Sequence, residues 1–160
     1  MKISHILHPT DFSEGAHAAL DYAKALAKQY NASLTLLYVM NDIRRGQGWY
    51  VPHFSLDNFF EEMKVNAEKK LKHFCYEEAR EIKDVNSIIL RGEPDEEIVG
   101  YAKHNGIDLI VIGSYSKSGM DFIFGSTTRK VLRKADCPVL CVKVPAGLRT
   151  PEEVKIEEGP

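Results

Sequence analysis

The chain has 160 residues, 44% of them hydrophobic and 28% charged, with a formal net charge of −2. That length and composition suit one globular domain with a sizeable core, whereas two domains would each be marginal. The near-neutral balance supplies no global basic field for nucleic acid. No apolar run approaches the ~20 residues that cross a bilayer, and Met1-Lys-Ile-Ser-His5 is too short and polar to open a signal peptide. A cytoplasmic protein without membrane insertion is the expectation.

In chain order, Ile3 to His8 predicts the first strand. Ser13 is placed to cap a helix whose apolar face is Ala16, Ala19, Leu20, Ala23, Leu26 and Ala27, and Asn31 to end it in a left-handed turn. Ser33 to Val39 is the second strand. Met40 to Leu56 is long and irregular, and carries Arg44, Trp49 and Tyr50. A lid or contact surface and a plain cover for the sheet edge both fit it. Asp57 to Glu81 predicts a second helix with Phe59, Phe60, Met63, Ala67, Leu71, Phe74 and Cys75 on its inner stripe.

Ser87 to Leu90 is the third strand. Glu93-Pro-Asp-Glu-Glu97 opens a third helix, with proline in the first turn and acids complementing the dipole, and Gly106 closes it. Asp108 to Gly113 is the fourth strand. A fourth helix runs from about Ser126 to before Pro138, with Val131, Leu132 and Ala135 inward, and Pro138 to Val144 is the last strand. The strands are near-continuous apolar runs, as in Leu109-Ile-Val-Ile112, which marks burial on both faces. Alternating β and α elements then predict a doubly wound, open, parallel α/β sheet with helices on both faces. The expected division is a domain over 1–144 and a tail over 145–160, rich in proline and glutamate, that needs no fold of its own.

In such a sheet, ligands bind beyond the carboxyl ends of the strands where strand order reverses. The first strand ends in Pro9-Thr-Asp-Phe-Ser-Glu14 and the fourth runs into the segment from Gly113 to Thr128. Gly113, Gly119 and Gly125 allow close backbone approach or positive φ. Gly125-Ser-Thr-Thr128 leads into a helix, so free N–H groups point at whatever lies before it. The hydroxyls of Ser116, Ser126 and Thr127 can donate to phosphate oxygens, and Asp11 stands where an acid accepts from ribose hydroxyls. Helix capping alone would use the same residues, and the segment matches neither a P-loop nor G-x-G-x-x-G.

No catalytic or metal centre emerges. The histidines are scattered; His5 and His8 sit at odd separation on a strand and face opposite sides. Ser126 has no evident base. Cys137 and Cys141, roughly 13 Å apart along a strand, are beyond disulfide reach; a metal or redox pair and small core residues are the two readings, the second favoured. Arg129, Lys130, Arg133 and Lys134 form either a nucleic-acid patch or a solvated basic face, and the solvated face is favoured. The apolar last strand would be an open edge unless another chain covers it.

His8-Pro-Thr-Asp-Phe-Ser-Glu14, Arg91-Gly-Glu-Pro-Asp-Glu-Glu-Ile98, Asp108-Leu-Ile-Val-Ile-Gly-Ser114, Phe124-Gly-Ser-Thr-Thr128 and Cys137-Pro-Val-Leu140 form an ordered set. Together, from Lys2 to Lys143, they resemble the universal stress protein family. The resemblance implies an adenine nucleotide alpha hydrolase-like fold with a five-stranded sheet in order 3-2-1-4-5, and homodimers formed through the last strand. It also implies two branches, one binding ATP or AMP and one binding neither. Binders carry Gly-x-x-Gly, nine residues, then Gly-Ser or Gly-Thr.

On this chain that pattern falls on Gly113, Ser116, Gly125 and Ser126, with serine in place of the second glycine and eight residues before Gly125. By the same resemblance Asp11 takes the ribose, and Pro9, Thr10, Val39 and Ile112 line the adenine site, Val39 through its backbone. Lys117 and Arg129 either add charge near a triphosphate or are solvated surface cations. The implied function is a dimeric, nucleotide-dependent stress or signalling protein that binds ATP or AMP, with Mg²⁺ accompanying a triphosphate. It would hydrolyse ATP slowly at most, and would act on a protein partner the sequence does not identify. The alternative is a dimeric protein-interaction module of the same fold that binds no nucleotide.

Overall fold

Strands that are near-continuously apolar must be covered on both faces, and the sheet is built that way. The computed structural model describes residues 2–42, 53–75, 79–114 and 125–143. The elements are β1 (His5–Pro9), α1 (Glu14–Tyr30), β2 (Ser33–Asn41), α2 (His53–His73), β3 (Val85–Gly92), α3 (Pro94–His104), β4 (Leu109–Ser114), α4 (Ser126–Lys134) and β5 (Val139–Lys143). The strands form one sheet in the order β3-β2-β1-β4-β5, every neighbouring pair parallel. The order reverses between β1 and β4, the expected switch point.

Side chains alternate across each strand and so feed two cores. Ile6, Leu34, Leu36 and Val111 pack with Ala19, Leu20, Ala23 and Leu71 on the α1/α2 face. Leu7, Leu37, Ile110 and Ile112 pack with Ile98, Ala102 and Val131 on the α3/α4 face. Ile6, Leu7, Leu34, Leu36, Leu37 and Ile110 are wholly or almost wholly buried, each worth about 1.5–3 kcal/mol against exposure.

Local chemistry sets the helix ends. Ser13 Oγ accepts from Ala16 N–H at 3.3 Å, and Asn31 turns left-handed at φ 52°, letting Ala32 N–H close on Ala27 O at 2.9 Å. Pro94 opens α3, and Gly106 follows it at φ 61°.

Three expectations need correction. The second helix starts at His53 and ends at His73, not at Glu81. It gives way to a wider turn, in which Ala79 N–H donates to Phe74 O at 3.0 Å, a five-residue step that lets Ala79 and Ile82 enter the core. Phe59, expected inside, is 48% exposed, because its neighbour Phe60 (5% exposed) takes the inward position beneath the Arg91 guanidinium, 3.5 Å from its ring centroid. Likewise Leu132 is exposed because Val131 occupies the inward face of the short α4.

Cys75, Cys137 and Cys141 are free and partly buried; burial pushes all three thiols up. Cys137 precedes β5 and so does not share its strand with Cys141. Among the described residues no cluster of three or more His, Cys, Asp or Glu can hold a metal ion, and no helix is long and apolar enough to cross a membrane. Most of the expected Met40–Leu56 loop, Val144 and the tail over 145–160 lie outside the described residues.

Candidate functional site

At the switch point β1 hands the chain to Thr10-Asp-Phe-Ser13. Thr10 N–H still donates to Leu37 O at 2.9 Å, extending the ladder one residue beyond Pro9. The turn then satisfies itself with side chains: Phe12 N–H donates to Thr10 Oγ1 at 3.1 Å and Ser13 N–H to Asp11 Oδ1 at 2.9 Å. Asp11 is exposed, and a carboxylate that accepts this one bond keeps capacity for others. Phe12 has φ 62°, a left-handed conformation that costs a bulky residue about 1–3 kcal/mol.

On the other side, β4 ends at Gly113-Ser114. A Cβ on Gly113 would collide with the Gly15 carbonyl and come within 2.9 Å of Ala16 N. The first turn of α1 therefore sits directly on this glycine. The expected reason for Gly113, approach of a ligand or positive φ, gives way to approach of a helix. Gly125 has φ −53° and no atom within 4 Å of a Cβ built on it, so its missing side chain leaves open space.

Helix α4 begins at Ser126, and among the described residues no side chain caps it. Its first bond is Arg129 N–H to Gly125 O at 3.0 Å, so the N–H groups of Ser126, Thr127 and Thr128 have no acceptor within the helix. Thr128, 5% exposed, donates through Oγ1 to Gly113 O at 2.9 Å and ties this end to β4.

These segments enclose a cavity of about 290 Å³. Pro9, Thr10, Asp11 and Ser13 form one wall, and Gly125, Ser126, Thr127 and Thr128 the other. Leu37, Val39, Ile98, Ile112, Ala16 and Gly113 complete the lining. The lining is mixed, with Leu37, Val39, Ile98 and Ile112 beside an acid and five hydroxyls, and apolar surface with polar groups that fix orientation is what a small-molecule site needs. Pro9, Thr10, Asp11, Val39, Ile112, Gly113, Gly125, Ser126 and Thr127, drawn from four separate stretches of sequence, are thus brought together. Ser116, Lys117 and Gly119 lie outside the described residues.

The lining also includes Ser13, Ala16, Leu37, Ile98 and Thr128, which sequence reasoning did not assign to it. Leu37 was within reach, standing two residues before Val39 on the same strand face. Ile98 arrives from α3 through tertiary packing alone.

The surroundings are electrostatically settled. His8 is 1% exposed, its Nδ1–H donates to Val111 O at 2.9 Å, and burial lowers its pKa to about 4, so it is neutral and joins β1 to β4. Burial, then the Asp11 charge, pushes the Tyr38 phenol up. Asp95 is 3% exposed and accepts from Lys130 at 3.2 Å and Lys134 at 2.6 Å. Burial alone would raise its pKa; the two ammonium groups outweigh that and hold it below the usual carboxylate value. Two cations of the α4 basic face therefore serve to dock α4 on α3.

The universal stress protein family model matches residues 2–143. A universal stress protein of Methanocaldococcus jannaschii is 34% identical over 151 residues, spanning 86% of this chain and 93% of its own. The solved structure of the universal stress protein UspA from Lactobacillus plantarum, 30% identical, superposes with a TM-score of 0.69 over 89% of this chain and 99% of that one. That of a universal stress protein from Archaeoglobus fulgidus in complex with dAMP, 22% identical, has a TM-score of 0.63 over 88% and 98%. With the family's match running from before β1 to the end of β5 and taking in both walls of the cavity, the chain belongs to the universal stress protein family.

Proposed function

We propose that this protein binds an adenine nucleotide, ATP or AMP, in the cavity between the ends of β1 and β4 and works as a nucleotide-dependent dimer in stress or signalling. The observation that carries the reading is the pairing of opposite chemistries across one cavity. An exposed carboxylate, Asp11, stands on one wall and the N-terminus of α4 on the other. Asp11 accepts from ribose hydroxyls. The first N–H groups of α4, which have no acceptor within the helix, take phosphate with the Ser126 and Thr127 hydroxyls where the helix dipole favours an anion. Pro9, Thr10, Val39 and Ile112 surround the base, Val39 through its backbone.

Ser116 contributes a further N–H and hydroxyl to phosphate, and Mg²⁺ arrives on a triphosphate's own oxygens. Any ATP hydrolysis would be slow. The dAMP complex of the Archaeoglobus fulgidus family member supports the ligand class. Calorimetry with ATP, ADP and AMP tests the reading, and absence of heat at millimolar nucleotide overturns it. Asp11→Ala and Gly125→Val are each expected to weaken binding without unfolding the chain; unchanged affinity in both would place the ligand elsewhere.

One observation favours a second reading, a dimeric interaction module that binds no nucleotide: Gly113 is already required by α1 packing, so that motif glycine need not signal phosphate. In both readings the domain is 1–144, and dimerisation runs through β5, which lies at the sheet edge. A concentration-independent monomer in sedimentation would rule that dimer out.

A further inference from the structure

Phe12 departs from the residues around it. Thr10, Asp11 and Ser13 line the cavity, whereas Phe12 does not; it packs against the α1/α2 core instead. Its ring stacks on Phe74 at 5.8 Å and 13°, and lies against Tyr38 at 5.0 Å and 36°. Lys70 Nζ stands 5.0 Å from its centroid. Phe74 is in turn held by His17, ring to ring at 4.8 Å, and His17 Nδ1–H donates back to the Ser13 carbonyl at 3.1 Å. Side chains from β2, α2 and the turn that follows α2 thus grip a residue whose own backbone, at φ 62°, is in a region phenylalanine avoids.

We propose that Phe12 is a positioning residue: its clamped ring holds the left-handed turn that aims the Asp11 carboxylate at a ligand's ribose hydroxyls. The inference rests on the nucleotide reading above. The mechanism is local. Asp11 Oδ1 is oriented by the Ser13 N–H, and the direction of that N–H is set by the conformation of the intervening Phe12. The intrinsic preference of phenylalanine opposes that state; the bonds from Phe12 N–H to Thr10 Oγ1 and Ser13 N–H to Asp11 Oδ1 support the turn, and the aromatic contacts supply the rest of the preference. Without the ring the turn relaxes, the bond to Ser13 opens, and the carboxylate loses its fixed direction.

The full chain is titrated calorimetrically with ATP and with 2′,3′-dideoxy-ATP, and the ratio of the two dissociation constants is the readout, because general loosening of the cavity would weaken both ligands alike. Charge-assisted bonds to a fixed carboxylate predict a wild-type ratio of about ten or more. Phe12→Ala is expected to bring the ratio close to one, with dideoxy affinity nearly unchanged. Phe12→Gly, which reaches positive φ without a steric cost, is expected to fall between them. Phe74→Leu removes the stacking partner and leaves the turn sequence intact, so it lowers the ratio even if Phe12→Ala fails to fold.

Wild-type discrimination with an unchanged ratio in the Phe12 and Phe74 variants overturns the proposal, as does equal loss of both ligands. Wild-type binding with no discrimination overturns it while leaving nucleotide binding in place. Absence of any wild-type binding removes the nucleotide reading and this inference with it.

Discussion

Gly113→Ala tests whether the end of β4 and the start of α1 form one rigid unit. The added methyl would fall 2.9 Å from Ala16 N and closer still to the Gly15 carbonyl. All of these are backbone atoms, so no rotamer change relieves the contact. The helix start is itself fixed, by Ser13 Oγ on Ala16 N–H and by His17 N–H on Ser13 O at 2.9 Å. Strand and helix must therefore separate by something approaching 1 Å, and a gap of that size forfeits a quarter to a half of the dispersion energy of the atoms lining it.

Overpacking against an unyielding neighbour costs about 1–3 kcal/mol, and the backbone contact argues for the upper half of that range. For a chain of this length each kcal/mol moves the melting temperature by about 2–4 °C, so a fall of about 4–12 °C is expected by circular dichroism. Gly125→Ala is the internal control. Its Cβ meets nothing within 4 Å; loss of unfolded-state freedom favours alanine by about 0.4–1 kcal/mol, and alanine's poor showing at an N-cap offsets a similar amount. Its melting temperature should stay within about 2 °C of wild type. If Gly113→Ala also melts within 2 °C, the close approach is not rigid and the reasoning fails.

Gly125→Asp should cap α4, raising stability by about 0.5–1 kcal/mol, while its carboxylate competes for the N–H groups assigned to phosphate; thermal melts and nucleotide titration should therefore move in opposite directions. Asp95→Asn removes the negative charge and one of the two buried oxygens that accept from Lys130 and Lys134, whose side chains are 48% and 46% exposed. Since water can take up their charge, urea denaturation should show a loss of about 1–2 kcal/mol, less than for a fully buried pair. His8 binds its proton less readily folded than unfolded, at about 4 against 6.5, so its contribution is complete above pH 6.5 and is lost as pH falls toward 4. That gap corresponds to about 3 kcal/mol, and urea denaturation between pH 7 and 4.5 should show a clearly shallower decline in His8→Asn.

The fold was legible where local chemistry and tertiary packing ask for the same residue. Ser13 and Asn31 bound α1 because a cap and a left-handed turn are short-range devices, and Leu109-Ile-Val-Ile112 reads as a central strand because two helix layers leave it no polar face. Adjacent apolar residues on a helix defeat this logic. Phe59 and Phe60, like Val131 and Leu132, are about 100° apart around the axis. Only one of each pair reaches the sheet, and periodicity does not choose which. The end of α2 was hidden for a related reason: the sequence from Tyr76 to Glu81 remains helix-compatible, and the break follows from where Phe74 must sit against Phe12 and His17.

The cavity was legible through its polar rim, since hydroxyls, an acid and glycines beyond strand ends have few structural uses. Its mechanics were not. Glycine is the residue that sequence reading associates with freedom, yet Gly113 is where freedom is least, pinned under the α1 backbone. Phenylalanine is associated with filling a core, yet Phe12 takes the left-handed turn expected of glycine or asparagine. Both inversions arise because the switch point brings a helix start, two strand ends and an aromatic cluster within a few ångströms of one another. Each conformation there is set by a neighbour distant in sequence, so a substitution at Phe74, which does not line the cavity, should be felt at Asp11, which does.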